Sequence, residues 1–334
     1  MIFPWQLTFS LARYLAQNKL GGRQRFPLVL MLEPTFRCNL ACAGCGRIRE
    51  DKALMGRMLS VEECLDSVDE SGAPVICLTG GEPLLHPDIR EVVDQIIARK
   101  RFIYLCSNGI KLQEALRRFQ PSPYLSFVVH LDGLAKTHDR IVGRPGVFDT
   151  AIAAIAAAKK AGFQVRTNTT LYAEADIDET MQLFDLLRLL KTDGLMVAPG
   201  FSYEAVADNI FLSHEEAVSL FQTIFDKRNS YRFYNTPVYL EFLAGKRDLQ
   251  CVPWSTPTRD PKGWKRPCYL IGDSYCSSFR ELVEETDWAR YGRGKDPRCP
   301  TCMVHSGFEA SAIDAAGKSL PDLWDITKWQ LLTR

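Results

Sequence analysis

The sequence predicts an α/β protein: an open, partial barrel of six strand–helix units, a (β/α)6 arrangement, followed by a cysteine-rich C-terminal extension. Three observations predict it. Short β-branched or aromatic runs recur with amphipathic stretches between them, which is the pattern of βα units rather than of a sandwich. Small and polar residues collect directly after these runs, where parallel α/β folds hold their ligands. Beyond about residue 212 the alternation fades into a stretch rich in Pro, Trp and Cys.

Residues 1–24 are expected to form an amphipathic segment, because Phe3, Leu7, Leu11 and Tyr14 recur at helical spacing with Trp5 and Phe9 beside them. Such a helix either packs on the barrel or lies on a membrane surface. Strands are expected at 28–32, 75–78, 102–106, 125–131, 164–170 and 195–198, with helices between them. Ser60 with Glu63 forms a capping box that opens a helix whose Val61, Cys64, Leu65 and Val68 share one face. Asp88 with Glu91 is expected to start the next helix in the same way. The Ala-rich run 151–161 ends at Gly162, a helix stop, just before the strand containing Val165. Ser213 with Glu216 caps a last clear helix. The chain thus divides into the segment 1–24, a core domain over 25–212 and a Cys-rich domain over 213–334.

Composition narrows the function. Forty-one basic residues against forty acidic ones leave a net charge of +1, so no global field draws the protein to nucleic acid, and no nucleic-acid partner is expected. Apolar runs such as 27–32 fall far short of a membrane span, which needs roughly 20 residues. The first 20 residues lack the basic region and small-residue cleavage site of a signal peptide, and the expected compartment is the cytoplasm. Eleven cysteines in such a chain point to metal or redox chemistry rather than to disulfides, and an odd number cannot all pair.

The strongest motif is Cys38, Cys42 and Cys45, three thiols within eight residues, immediately after a strand and the turn Glu33-Pro34-Thr35. Iron–sulfur cubanes are ordinarily held by four thiolates, so three thiolates hold three irons and leave the fourth open to a small molecule. A structural zinc site is the alternative, although zinc knuckles pair their cysteines and close with a second pair. Thr79-Gly80-Gly81-Glu82-Pro83 follows the second strand, and its glycines let the main chain approach closely. Ser107-Asn108-Gly109 follows the third strand, Asp132-Gly133 the fourth, and Asn168 and Thr170 lie on the fifth. Each of these segments, taken singly, also reads as an ordinary turn.

In the spacing and order of these segments, residues 28–200 resemble the radical S-adenosylmethionine (radical SAM) superfamily. The resemblance implies a partial radical SAM barrel that binds a 4Fe–4S cluster through Cys38, Cys42 and Cys45. It implies binding of S-adenosyl-L-methionine by Gly80, Gly81, Glu82, Pro83, Asn108, Asp132 and Asn168. It implies too that the methionyl amine and carboxylate chelate the open iron, and that an electron from a donor such as flavodoxin or ferredoxin releases a 5′-deoxyadenosyl radical. Gly44 departs from the pattern, since family members usually carry an aromatic residue there; the glycine is expected to leave open space beside the nucleoside.

Longer stretches are similar to the adenosylhopane synthase family of hopanoid biosynthesis: CNLACAGCGR at 38–47, residues 59–69, GGEPLLH at 80–86 and VHLDG at 129–133. So are CVPW at 251–254, RPCYL at 266–270, EETDW at 284–288 and CMVHSG at 302–307. This resemblance implies a transferase of lipid metabolism that adds the adenosyl radical to the terminal alkene of diploptene. A hydrophobic triterpene substrate implies in turn a peripheral contact with the inner face of the cytoplasmic membrane. The tertiary carbon radical left by that addition needs a hydrogen atom, and Cys106, at the end of the third strand, is the candidate catalytic donor. A small buried hydrophobe is the other reading of Cys106. His130, also at a strand end, either faces the site or packs in the core. The alternative functions are hydrogen abstraction from a peptide or small metabolite, and a non-catalytic iron–sulfur protein. Nothing in the 334 residues reads as a cobalamin-type domain. Cys251, Cys268, Cys299 and Cys302, with His305 shortly after the last, form a candidate second metal site for an iron–sulfur cluster or zinc, with ordinary reduced thiols as the alternative.

Overall fold

The β-branched runs pair as expected, each in parallel with the next. The structure is a computed structural model and describes residues 4–46, 54–202, 206 and 209–332; Phe3 and Arg47 of the segments above lie outside the described residues. Six strands, β1 (Val29–Leu32), β2 (Val75–Leu78), β3 (Phe102–Ser107), β4 (Leu125–His130), β5 (Gln164–Leu171) and β6 (Gly194–Pro199), lie side by side in chain order. The helices after α1 (Trp5–Leu20) form the outer layer: α2 (Val61–Ser71), α3 (Ile89–Ala98), α4 (Leu112–Ala115), α5 (Ala135–Val142), α6 (Val147–Lys160) and α7 (Ile177–Leu189).

Side chains alternate across a strand, so each strand shows one face to the helices and one to the lumen. The helix side buries Leu30, Leu32, Ile76, Leu78, Ile103, Leu105, Phe127, Val129, Val165 and Val197 against Val68, Ile96, Ile155 and Leu183 in one continuous core. The lumen side differs in chemistry: Cys77, Tyr104, Cys106, Val128, Arg166 and Met196 follow the alternate positions. Below Cys106 the lumen is closed by an aromatic floor. The Tyr104 and Tyr234 hydroxyls lie 2.6 Å apart, and the Arg166 guanidinium sits 4.1 Å from the Tyr234 ring centroid and 5.5 Å from that of Tyr104. Arg166 is 2% exposed, and its charge is held against the two ring faces in place of water.

The helix starts are partly those the sequence predicts. Ser60 and Glu63 form the reciprocal capping box, as do Ser213 and Glu216 ahead of α8 (His214–Asp226), and Gly162 takes a φ of 85° just past α6. Asp88 does not cap α3 with its side chain. His86 intervenes: its Nδ1 accepts the Asp88 N–H at 3.2 Å while its Nε2 lies 2.8 Å from the Leu59 carbonyl, and burial of Ile89, Val92, Val93 and Ile96 holds the helix.

The region beyond α8 also departs from expectation, because the sheet continues across the boundary expected at 212. After α9 (Pro237–Leu243), strand β7 (Thr258–Asp260) joins β1 in parallel, and β8 (Gly263–Pro267) and β9 (Gly272–Cys276) add on antiparallel, making nine strands. These strands are only three to five residues long, too short to show an alternating pattern. They are fixed instead by Trp264 buried against Phe279 and by the Tyr275 hydroxyl on Asp260 at 3.0 Å. Helices α10 (Phe279–Glu285), α11 (His305–Ala316) and α12 (Leu320–Leu332) complete the chain.

Leu7 of α1 packs on Val75 and Phe102, the first residues of β2 and β3, so α1 covers the starting end of the strands. Helix α12 lies against it, the Gln330 amide donating to Thr8 at 3.0 Å. Trp5, Phe9 and Trp324 are left exposed on this end. Among the described residues no single helix is long and apolar enough to cross a membrane.

Candidate active site

The loops after β1 and β2 are zipped together by their main chains. Thr79 N–H donates to Leu32, Gly81 N–H to Thr35 and Glu82 N–H to Arg37, at 2.9, 3.0 and 2.7 Å. This approach requires glycine: a Cβ on Gly80, whose φ is 108°, would lie 2.7 Å from the Thr35 carbonyl, and one on Gly81 would lie 2.7 Å from that of Phe36. Glu82 is 1% exposed and ties the loops after β2 and β3, accepting the N–H of Leu84 at 3.1 Å and of Asn108 at 2.8 Å. Burial raises its carboxyl to about 7, against the lowering effect of those bonds. Asn108 in turn donates to Asn39 at 2.7 Å and comes within 4.0 Å of the Cys38 sulfur. Pro83 is buried in the turn that follows Glu82.

Asp132 joins the ends of β4 and β5. Its carboxylate accepts the Thr170 N–H at 2.9 Å and pairs with His130 Nε2 at 2.6 Å, while its own N–H donates to His138 Nδ1 at 3.2 Å. Burial opposes charge on His130, but the Asp132 carboxylate outweighs it and the ring titrates above its ordinary value. For His138 burial wins and lowers the ring to about 4. Asn168 stands opposite His130 in register.

The cysteine loop rests on α5 and α6 through Leu40, which packs on Val142 and Val147, and through the Ala43 N–H on the Ile141 carbonyl at 2.8 Å. Burial pushes the Cys38 thiol up to about 11 and the Cys42 thiol higher still, with the neighbouring cysteines adding to both. Cys38 and Cys42, held protonated in this way, would ionise on meeting a metal cation, and cysteine thiolates are the usual ligands of an iron–sulfur cluster. Among the described residues no three His, Cys, Asp or Glu side chains converge to hold a single metal ion.

Gly44 does not leave the expected open space. The Tyr172 ring, at the end of β5, fills it: a Cβ on Gly44 would lie 2.6 Å from Cε1 and 2.8 Å from Cζ of that ring. Gly200 makes room on the other side, where a Cβ would lie 2.8 Å from Cε1, and Phe211 stands beside the ring with centroids 5.9 Å apart. Tyr172 is therefore a neighbour of the cysteine loop that sequence reasoning missed, although its place two residues past the strand expected at 164–170 was a usable signal. Cys77 was missed as well. Its sulfur lies 3.5 Å from that of Cys106, both opening on the lumen near Asn108.

Among the described residues, the second cysteine group gathers around one space without closing on a single ion. Cys251, Cys268, Cys299 and Cys302 line one cavity with Tyr269 and Arg293. Burial raises all four thiols, Cys302 to about 12, and Cys251 is raised further by the other three. His305 does not join them. Its ring packs edge-on against Tyr239 at 5.8 Å and lies 3.7 Å from Glu309, and burial lowers it to about 4. As the first residue of α11, it is carried away from the cysteines that precede it.

Residues 32–187 match the family model of the Radical SAM superfamily, and residues 195–326 match a domain of unknown function, DUF3463. The AdoMet-dependent heme synthase of Methanosarcina barkeri is 30% identical over 168 residues, covering 49% of this chain and 48% of that protein. The chain spans about half the length of the curated relatives it matches. Streptococcus suis SuiB bound to precursor peptide SuiA superposes with a TM-score of 0.63 at 14% identity, over 92% of this chain and 77% of that one. Native anSMEcpe with bound AdoMet gives 0.60 at 14% identity, over 90% and 89%. At these identities the likeness to the two structures is one of fold.

Proposed function

We propose, from the premise that this chain belongs to the radical SAM superfamily through residues 32–187, that it is a transferase joining the 5′-deoxyadenosyl group to the terminal alkene of diploptene. A 4Fe–4S cluster on Cys38, Cys42 and Cys45 supplies, when bound, the electron that cleaves S-adenosylmethionine. The main chain of Gly80, Gly81 and Pro83, together with Asn108, Asp132 and Asn168, lines the binding region, and Glu82 holds the loops after β2 and β3 together.

The observation that carries the reading is the Cys106 thiol on the lumen face, two residues before Asn108 and within 3.5 Å of a second thiol. An S–H bond is weaker than the C–H bond formed on a tertiary carbon, so hydrogen transfer from a thiol here to the product radical runs downhill. Addition to an alkene uses the same thiol productively. The first step forms a carbon–carbon bond and a tertiary radical, and Cys106 then gives that radical its hydrogen atom.

A second reading, hydrogen abstraction from a peptide or small metabolite, is favoured by the likeness to peptide-bound SuiB across most of the chain. Product mass separates the two. Anaerobic enzyme, a flavodoxin or ferredoxin donor, S-adenosylmethionine and hopene-containing lipid are expected to give an adduct that retains adenosine; release of free 5′-deoxyadenosine in step with peptide or metabolite oxidation would replace the first reading with the second.

Around the cavity at the C-terminal end, Cys251, Cys268, Cys299 and Cys302 would hold an auxiliary iron–sulfur cluster, a set of sulfurs around a void suiting several irons better than one zinc ion. The peripheral membrane contact that a triterpene substrate calls for would use the exposed Trp5 and Phe9 of α1. Co-sedimentation with anionic vesicles, lost on substituting both by Ser, is the expected outcome.

A further inference from the structure

Cys77 is in register with Tyr104, and Cys106 follows Tyr104 by two residues, so both cysteines leave the same face of the sheet. Their neighbours Ile76, Leu78 and Leu105 turn the other way and are fully buried beneath the helices, while the two cysteines keep access to the lumen. The sulfurs are 3.5 Å apart. A disulfide needs about 2.05 Å; as diagonal neighbours on adjacent strands, about 7–8 Å apart at Cα, the two cysteines close it through a small shift of the strands together with rotation of the side chains. The role given to Cys106 above makes no use of this second thiol.

We propose that Cys77 and Cys106 work as a redox pair that is oxidised to a disulfide in the course of turnover. The inference rests on the reading of Cys106 as hydrogen donor. The Cys106 S–H bond breaks and a C–H bond forms on the product radical, leaving a thiyl radical on Cys106. Cys77 loses its proton to solvent and its sulfur bonds to that radical, giving a disulfide radical anion. The extra electron passes to an oxidised one-electron carrier of the flavodoxin or ferredoxin class, and a neutral disulfide remains. In sum, two thiols become one disulfide while one hydrogen atom goes to product, one proton to solvent and one electron to the carrier. A dithiol reductant then reopens the bond. Without Cys77, the Cys106 thiyl radical would have to wait for an electron and a proton to arrive from outside the lumen.

The test is a single turnover of the cluster-loaded enzyme with substrate, S-adenosylmethionine and a one-electron donor, free of thiol reductant, followed by acid quench, alkylation and peptide mass mapping. The Cys77 and Cys106 peptides are expected to be linked in proportion to product. In Cys77→Ser the first turnover is expected to proceed, the link to disappear and later turnovers to slow at least tenfold. Full alkylation of both cysteines after turnover in the wild type would overturn the pairing, as would Cys77→Ser keeping wild-type multiple turnover. Saturated product formed at the normal rate by Cys106→Ala would instead overturn the donor role on which the pairing depends.

Discussion

Replacing Gly44 with Ala should destabilise the protein through a residue distant in sequence, Tyr172. The added Cβ would lie 2.6 Å from Cε1 and 2.8 Å from Cζ of the ring, whereas ordinary contact begins at 3.4 Å. The ring has little room to move, because Gly200 and Phe211 also crowd it: a Cβ on Gly200 would sit 2.8 Å from Cε1, and the Phe211 ring centroid is 5.9 Å away. Overpacking of this kind costs about 1–3 kcal/mol. Tyr172→Ala removes the ring and leaves a void; a large aromatic truncation costs about 3–5 kcal/mol when fully buried, and this half-buried ring should fall toward the lower end. In the double variant the clash has nothing to clash with, so the two losses should overshoot the combined loss by about 1–3 kcal/mol, as expected for residues in contact. Urea unfolding of the four proteins, followed by far-UV circular dichroism, measures that coupling without any cofactor. Losses that add to within about 0.5 kcal/mol would show that Gly44 and Tyr172 do not compete for one space.

Three further outcomes follow from the site. Burial raises Glu82 to about 7, so the folded state keeps a proton that the unfolded chain gives up near 4.5. Its contribution to stability is therefore full below about pH 4.5 and is lost as pH rises through 7, by about 3 kcal/mol at 1.36 kcal/mol per unit; Glu82→Gln should flatten that part of the profile in urea titrations at pH 5 and pH 8, and an unchanged slope would refute it. Iron analysis and electron paramagnetic resonance of anaerobically reconstituted protein should lose one cluster's iron in Cys38→Ala and another's in the Cys299→Ala, Cys302→Ala double variant, each leaving the other signal intact. Asp139, which accepts the N–H of Gly146 at 2.6 Å and of Phe148 at 2.9 Å at the start of α6, should cost about 1 kcal/mol when replaced by Ala, the usual loss of a helix cap, read as a lower urea midpoint at unchanged slope.

The part of the sheet made of β1 to β6 was legible because its outer faces are near-continuous apolar runs and its helices carry local stop and start chemistry, as at Ser60 and Gly162. The cysteine loop and the polar strand ends were legible for a related reason: each sits next to the element that positions it. What could not be read was whatever depends on two segments meeting. Strand β7 has the sequence Thr-Arg-Asp, and only pairing with β1 and β8 makes it a strand. Asp88 caps nothing with its side chain, its own N–H being held by a His86 ring that is fixed in turn by Leu59, a contact outside the helix. Cys77 was correctly put in a strand, but its nearness to Cys106 needs the register between β2 and β3. The void expected at Gly44 was real in its own loop and filled from β5. His305 follows the last cysteine closely enough to look like a ligand, yet the turn into α11 points it at Tyr239.

The stacked Arg166, Tyr104 and Tyr234 beneath Cys106 make the barrel a blind well rather than a tunnel. A substrate entering by the loop end of the strands would meet this stack with its reacting atoms at its tip and the remainder trailing outward. Under the proposed function, such a well would inspect how a substrate terminates and leave unread how much of it stays outside.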